Sequence, residues 1–160
     1  MKRAMKPLIA TPDDVWRIEE CARLCCEEHG EERVGGPLNW PHYRDFWIDL
    51  IERGDGVIFY HEDERGMMVG GFGGGISIEP ITGIPRAVQL FHYYKPEWRG
   101  SVSVRRLVRE FEKWSGERCG SMPRNHTLPL LDTNNPKTAR FMRAMGYVPQ
   151  SETWIKRFLQ

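Results

Sequence analysis

The sequence lacks a strong net charge of either sign. Its 23 lysines and arginines nearly balance its 22 acidic residues, which leaves a formal charge of +1. Without an excess of positive charge there is no broad field that would attract nucleic acid or an anionic membrane surface. A local basic patch remains open, in the arginines Arg99, Arg105, Arg106 and Arg109. The balance therefore disfavours nucleic acid as a partner.

Long apolar runs are absent too. No segment approaches the roughly 18 to 20 apolar residues of a membrane-spanning helix. The first 14 residues, MKRAMKPLIATPDD, lack the continuous apolar core of a secretory signal. We therefore expect no membrane partner and a cytoplasmic protein. The length of 160 residues predicts a single domain over residues 1–160 with one hydrophobic core.

Paired Cys-x-x-Cys motifs are missing as well. Three of the four cysteines, Cys21, Cys25 and Cys26, fall within one predicted helix, where small buried thiols are common. The five histidines are not spaced so that several would converge on one zinc ion. The sequence predicts packed free cysteines and no metal site.

Apolar residues at helical spacing predict four helices. Thr11 and Pro12 favour a helix start, with Asp13 and Asp14 near the positive end of the helix dipole. The predicted helices are residues 12–29, a second opened by Pro41 and stopped by Gly54, a third with its stripe from Val104 to Trp114 and closed by Gly116, and a fourth opened by Asn135 and Pro136 and capped by Gly146.

Short β-rich runs predict the strands. Residues 57–60 and 67–78 favour an antiparallel pair joined by a charged turn, residues 87–94 a strand long enough to cross the core, and 128–131 and 151–158 two shorter strands. With Leu8 and Ile9 in a first strand, the element order is βααβββαβαβ. It predicts an α/β chain of the α+β type, with a mixed, mostly antiparallel sheet flanked by about four helices.

The glycine run GGFGGG at residues 70–75 allows two interpretations. Its spacing matches neither a dinucleotide fingerprint nor a P-loop, which also needs a lysine followed by serine or threonine. Glycines inside a strand more often mark a bulge or a close approach of two backbones. The alternative is a glycine-lined floor beneath a ligand.

A strand passes directly into a helix at Arg99 and Gly100. A helix that begins there presents unpaired backbone N–H groups and the positive end of its dipole, which together favour an anion. Gly100 permits a tight turn, and Arg99 adds a planar, permanently charged donor. Most strand-to-helix turns bind nothing, so the corner alone leaves a phosphate site and a plain turn both open.

Two segments extend this picture: YKPEWRGSVSVRRLV at 94–108 and NPKTARFMRAMGY at 135–147. They resemble the motifs of the GCN5-related N-acetyltransferase family, and the element order matches over most of the chain. The resemblance implies acetyl-CoA as the cofactor, with its pyrophosphate on the backbone amides of the turn from Arg99 to Val104. The cofactor-binding residues that it implies are Phe91 and Tyr93 on the preceding strand, Arg99, Gly100, Ser101, Val102, Ser103 and Val104 in the turn, and Asn135 before the last helix.

Three departures from the family pattern bear directly on the chemistry. Val102 and Val104 replace the two glycines of the turn, although Ser101 and Ser103 could donate hydroxyls to phosphate oxygens. Met142 stands where many members have a tyrosine proposed to protonate the leaving thiolate, and a thioether cannot donate a proton. Phage-encoded members look similar to this chain, with a proline and an Arg-Gly pair before a degenerate turn and an arginine-rich helix.

The resemblance implies direct acetyl transfer to a primary amine of a small molecule or a protein. The family often carries a catalytic carboxylate on the strand at 87–94, but here that strand has no acid. His92 and, in the preceding loop, Glu79 are the catalytic candidates, and a period of two places Gln89 on the face opposite His92. Trp40 and Tyr43 are candidates for enclosing the substrate amine.

Each of these assignments has a purely structural alternative. His92 could be an ordinary hydrogen-bonded core residue, and Trp40 a partly buried loop residue. Two other functions also remain open: a catalytically inactive relative serving as a structural or interaction protein, for example in a phage virion or in binding a host factor, and a nucleic-acid-binding module. The sequence does not determine the oligomeric state, and a homodimer is one possibility.

Overall fold

The described strands and helices follow one another in the order that the hydrophobic patterns predict. The structure is a computed structural model that describes residues 5–30, 37–99, 102–119 and 136–148. The strands are β1 (Leu8–Ile9), β2 (Gly56–Glu62), β3 (Met68–Ile78) and β4 (Pro85–Tyr94), and the helices are α1 (Val15–His29), α2 (Trp40–Glu52), α3 (Val102–Arg118) and α4 (Pro136–Ala144). The strands predicted at 128–131 and 151–158 lie outside the described residues.

The four strands form one antiparallel sheet in the order β1-β2-β3-β4. The predicted pairing of β2 with β3 is confirmed, since Phe59 lies opposite Phe72. Within the described part of the chain, β4 is an edge strand. Its outer backbone groups are therefore placed where an extended ligand or a further strand can pair with them.

Each face of the sheet carries its own hydrophobic cluster, and helices cover both. On the first face, α1 and α2 bury Ile18 and Trp47 against Ile58 and Phe91. On the second face, α3 and α4 bury Phe111 and Met142 against strand residues that include Phe72 and Tyr94. We call these the α1/α2 face and the α3/α4 face. Helices on both sides of the described antiparallel strands agree with the predicted fold class.

Local chemistry explains how α1 and α2 begin. The Asp14 carboxylate accepts hydrogen bonds from the backbone N–H of Thr11 at 2.9 Å and from its hydroxyl at 2.8 Å, in the short 3₁₀ turn that leads into α1. Asn39 caps α2, because its side-chain oxygen accepts from the backbone N–H of His42 at 3.1 Å. Both starts fall within one residue or one turn of the predicted positions.

One predicted helix boundary is wrong. Gly116 does not close α3, which continues through it to Arg118. An isolated glycine lowers helix stability without ending the helix when the flanking residues supply the packing, and Phe111 and Ser115 are buried on either side of the preceding turn. In α2, Phe46 lies at the border of the apolar stripe and is 38% exposed, whereas Trp47 is fully buried.

The four cysteines form no disulfide, and Cys21 and Cys119 are buried whereas Cys25 and Cys26 are partly buried. Within the described ranges, no helix combines the length and the apolar character needed to cross a bilayer. Among those same residues, no three histidine, cysteine or acidic side chains are grouped as metal ligands would be.

Candidate functional site

A β-bulge interrupts the edge strand β4. Phe91 lies opposite Gly73 and Gln89 lies opposite Gly74, so Leu90 is an extra residue without a partner on β3. Such an insertion leaves the backbone groups of the extra residue unpaired and bends the strand. The bulge therefore places free backbone polar groups at the described edge of the sheet.

The glycines of β3 make this bulge possible. A Cβ at Gly74 would lie 1.9 Å from the carbonyl oxygen of Val88 on β4, and a Cβ at Gly73 would lie 2.3 Å from that of Val57 on β2. Neither distance is compatible with a side chain. The interpretation of the glycine run as a bulge and a close backbone approach is confirmed, and these glycines act by fitting strands together.

The bulge also changes which residues share a face. Phe72 and Gly74 are two residues apart on β3, so their partners His92 and Gln89 lie on the same face of the sheet. The expectation that Gln89 and His92 face opposite sides is wrong. It assumed an unbroken period of two, whereas the extra residue Leu90 shifts the alternation by one position.

His92 lies half-buried on the α3/α4 face. Its ring centroid is 5.4 Å from that of Phe72, with a tilted geometry. Burial lowers the pKa of His92 to about 4, with a smaller contribution from the positive charge of Arg99. The imidazole is therefore neutral at physiological pH and has a lone pair with which to accept a proton.

Glu79 lies in the turn between β3 and β4, where its carboxylate organises the loop. One oxygen accepts from the backbone N–H groups of Ile81 at 3.1 Å and Thr82 at 2.6 Å, and from the Thr82 hydroxyl at 2.7 Å. The hydroxyl hydrogen bond is the main reason why the pKa of Glu79 is lowered. This carboxylate is a loop-stabilising group and a weaker base than an ordinary glutamate.

The Arg99 corner follows the end of β4 through a 3₁₀ turn at Pro96–Trp98. Arg99 donates from Nε to the carbonyl oxygen of Tyr94 at 2.8 Å. Its Nη1 and Nη2 both donate to the carboxylate of Glu28, near the end of α1. The guanidinium carbon lies 5.6 Å from the ring centroid of Tyr93. The arginine is thus held at the corner by three described partners.

The predicted phosphate turn is described in part. Gly100 and Ser101 lie outside the described residues, as does Asn135. The helix α3 begins at Val102, so its first amides point away from the helix and towards the corner. Val104 packs against the hydrophobic cluster of the α3/α4 face. Its side chain is accordingly turned towards the core, which leaves the amide side of the turn clear of it.

The remaining cofactor candidates on β4 contribute their backbone. Phe91 and Tyr93 are buried on the α1/α2 face, with exposed fractions of 5% and 6%. The Phe91 side chain packs in the core, whereas the Tyr93 side chain also contacts the ion pair of Arg99 and Glu28. A ligand at the edge of the sheet would meet the main chain of both residues.

Two residues near the second motif are engaged in packing. Met142 is 2% exposed in the α3/α4 cluster. Tyr147 donates its hydroxyl hydrogen to Glu112 on α3 at 2.7 Å, and burial raises the pKa of Tyr147 above its usual range. Neither is arranged as a proton donor at the edge of the sheet.

Trp40 and Tyr43 lie together in the first turn of α2, with ring centroids 5.7 Å apart in an edge-on arrangement. The guanidinium of Arg23 on α1 is centred 4.3 Å from the ring of Trp40, while Glu19 holds Arg23 from the other side. One face of the indole therefore already carries a cation, in the manner expected for a cation–π contact. Burial raises the pKa of Tyr43, which keeps its phenol neutral.

Sequence reasoning missed a buried polar pair beside the Arg99 corner. His61 on β2 is fully buried, and its Nδ1 lies 2.7 Å from the hydroxyl of Tyr94 across the intervening strand. Gly70 separates them on β3, and a Cβ there would lie 2.5 Å from the Tyr94 ring. The glycine in the middle strand is the only local signal for this contact, and it does not name the partners.

Comparison with known proteins identifies the architecture. Neither family models nor curated proteins match the sequence. A solved GCN5-related N-acetyltransferase from Ralstonia eutropha, however, superposes with a TM-score of 0.73 at 17% identity, covering 96% of this chain and 98% of that one. The chain has the fold of the GCN5-related N-acetyltransferases.

Two other structures with acetyltransferase folds were solved with informative ligands. A predicted acetyltransferase from Clostridium acetobutylicum, solved with acetyl-CoA, has a TM-score of 0.74 at 12% identity and covers 96% of both chains. The structure of AAC(6')-Iy in complex with a CoA-containing bisubstrate analogue has a TM-score of 0.72 at 10% identity, covering 99% of this chain and all of that one. The likeness to the GCN5-related N-acetyltransferase fold spans nearly the whole chain.

Proposed function

We propose that this chain is an acetyl-CoA-dependent N-acetyltransferase that transfers the acetyl group directly to a primary amine of a small molecule or a protein. The observation that carries the proposal is the bulged edge strand β4 running through the Arg99 corner into α3, in a chain with an acetyltransferase fold. Bulges are enriched at the edges of sheets and next to active sites, which supports this position as a binding site.

The described residues fit such a cofactor. The amides at the start of α3 and the guanidinium of Arg99 offer hydrogen-bond donors and positive charge to a diphosphate. The outer edge of β4 offers alternating backbone donors and acceptors to an extended amide-containing arm. Val104 leaves this side clear because it packs inward. Bound acetyl-CoA would supply an acetyl group activated as a thioester.

His92 is the group that we assign to proton transfer. The amine nitrogen must lose a proton as it bonds to the acetyl carbon and the carbon–sulfur bond breaks. His92 is unprotonated at neutral pH, because burial holds its pKa near 4, and so its lone pair can accept that proton directly or through water. The same low pKa makes it a weaker base than an ordinary histidine. Glu79 is the weaker assignment, since its carboxylate is committed to the turn.

Titration calorimetry with acetyl-CoA, followed by a thiol-release assay over a panel of amines, tests the proposal. Micromolar affinity together with amine-dependent release of CoA would support it. Absence of binding at millimolar acetyl-CoA would refute the proposed function.

A catalytically inactive relative is the second candidate, and two observations favour it. Arg99 already holds the Glu28 carboxylate, and Met142, buried in the core, cannot donate a proton to a thiolate. Such a protein would use the same fold as a structural or interaction module. It predicts no release of CoA with any amine, whether or not the cofactor binds.

A further inference from the structure

The residue that holds Arg99 comes from a distant part of the chain. Glu28 precedes the arginine by 71 positions and is the second-to-last residue of α1, next to His29. Both of its carboxylate oxygens accept hydrogen bonds from Arg99. Neither of the two motifs that resemble the acetyltransferase family includes this residue.

Most of the hydrogen-bond donors of Arg99 already have partners. A guanidinium has five N–H donors, and three of them already have partners: one on the Tyr94 carbonyl and two on Glu28. The two-point contact is the geometry in which arginine binds carboxylates and phosphates most strongly. A diphosphate that sought the same two-point contact would have to replace the carboxylate.

The charge of Glu28 opposes the same ligand. The hydrogen bonds from Arg99 lower the pKa of Glu28 and raise that of Arg99, so both groups are ionised at neutral pH. The pair therefore has no net charge, and a diphosphate at the corner would approach a carboxylate at close range. Without that carboxylate, the net charge at the corner would be the full positive charge of Arg99.

The ion pair is not required for folding. The side chains of Arg99 and Glu28 are 41% and 30% exposed, and ion pairs this accessible contribute little to stability because solvent screens them. A change at Glu28 should therefore act on the corner and leave the core intact.

We propose that Glu28 sets the affinity of the corner for acetyl-CoA by competing with the diphosphate for the guanidinium of Arg99. The proposal rests on the proposed function, because it assumes that acetyl-CoA binds at this corner. Glu28 is then a residue that weakens cofactor binding and so permits release of the spent cofactor, CoA, which carries the same diphosphate.

The test is the affinity of Glu28→Gln for acetyl-CoA, measured by titration calorimetry beside the unchanged protein. Glutamine keeps the size and the hydrogen-bonding oxygen and removes the charge. We expect binding about tenfold tighter, which corresponds to about 1.4 kcal/mol. The matched control is Glu27→Gln, which makes the same change in net charge one residue earlier on an exposed position of α1.

Two further measurements assign the effect to the competition. S-acetyl-pantetheine has no diphosphate, so its affinity should be the same for Glu28→Gln and the unchanged protein. In an Arg99→Gln background, Glu28→Gln should no longer tighten binding, because the group for which it competes has gone. A purely structural role for Glu28 would change neither of these comparisons in this way.

The outcomes separate the two proposals. If the unchanged protein binds acetyl-CoA and Glu28→Gln binds it equally or more weakly, then Glu28 positions Arg99 or is irrelevant, and the competition is refuted while the proposed function stands. Equal tightening in Glu27→Gln would reduce the effect to net charge and also refute it. If neither protein binds acetyl-CoA at millimolar concentration, both proposals fall.

Discussion

Replacing Gly74 with alanine tests whether the bulge in β4 depends on the missing side chain in β3. The added Cβ would lie 1.9 Å from the carbonyl oxygen of Val88 and 2.8 Å from its carbonyl carbon. Both are backbone atoms of the neighbouring strand, so no change of rotamer can relieve the overlap. The strands must move apart or change register, which disturbs the ladder on both sides of the bulge.

The size of the effect follows from this geometry. Overpacking in a core commonly costs about 1–3 kcal/mol when side chains can adjust. Here the obstacle is main chain, so we expect Gly74→Ala to lower the free energy of unfolding by at least about 3 kcal/mol, near the upper end of ordinary point mutations. Urea unfolding followed by circular dichroism and tryptophan fluorescence measures it, with six tryptophans as reporters.

Gly116→Ala is the matched control, since it makes the same chemical change where space is open. Apart from the backbone of α3 itself and the two neighbours of Gly116 in the chain, no atom of the described residues lies within 4 Å of a Cβ at this position, which is inside α3 and is not among the described glycines with positive φ. Alanine should raise the free energy of unfolding by about 0.5–1 kcal/mol, the usual difference between the two residues in a helix. An unfolding midpoint of Gly74→Ala equal to that of the parent would refute the reasoning about close strand approach. Destabilisation by Gly116→Ala would mean that the helix ends there after all.

Three further predictions concern the site and the buried histidines. Arg99→Glu should abolish acetyl-CoA binding in calorimetry while thermal unfolding stays cooperative, and an unchanged affinity would remove Arg99 from the site. His92→Ala should lower kcat with little change in the KM for acetyl-CoA, whereas unaltered turnover would exclude His92 as an essential base. Lowering the pH from 6.5 to 4 should destabilise the protein, because burial lowers the pKa of His61 to about 4 and the unfolded chain therefore binds the extra proton first. Between pH 7 and pH 4.5 the share of this fully buried group is about 2 kcal/mol. Urea midpoints at these two pH values should therefore differ less in His61→Gln than in the parent, and equal differences would show that His61 does not titrate in this window.

Hydrophobic periodicity predicted the helices well because each helix buries one continuous stripe. In α3, Leu107, Val108 and Phe111 are all fully buried, as their spacing requires. The error at Gly116 came from treating a local preference as a boundary. Packing of the flanking turn outweighs the cost of about 1 kcal/mol that a glycine imposes inside a helix.

Alternation along β4 was predicted less well, because a bulge is a property of two strands. The residues Gln89 to His92 contain nothing that marks Leu90 as the extra residue. The signal lies in Gly73 and Gly74 on the partner strand, and it becomes interpretable only when the register between the strands is known. A period-of-two assignment therefore placed Gln89 on the wrong face.

At the Arg99 corner, a local motif determines the backbone geometry and a distant residue determines the net charge. The segment from Tyr94 into α3 determines that backbone amides and a guanidinium meet at the end of β4, and this much follows from the order of strand, turn and helix. The charge that a ligand encounters there is a different property, because Glu28 neutralises Arg99 from the end of α1. If Glu28 competes for Arg99 as proposed, proteins with the same corner sequence should differ in cofactor affinity through one position on another helix. A comparison of corners among proteins of this fold should accordingly include the residue that faces the arginine from α1, and a carboxylate there should accompany weaker cofactor binding.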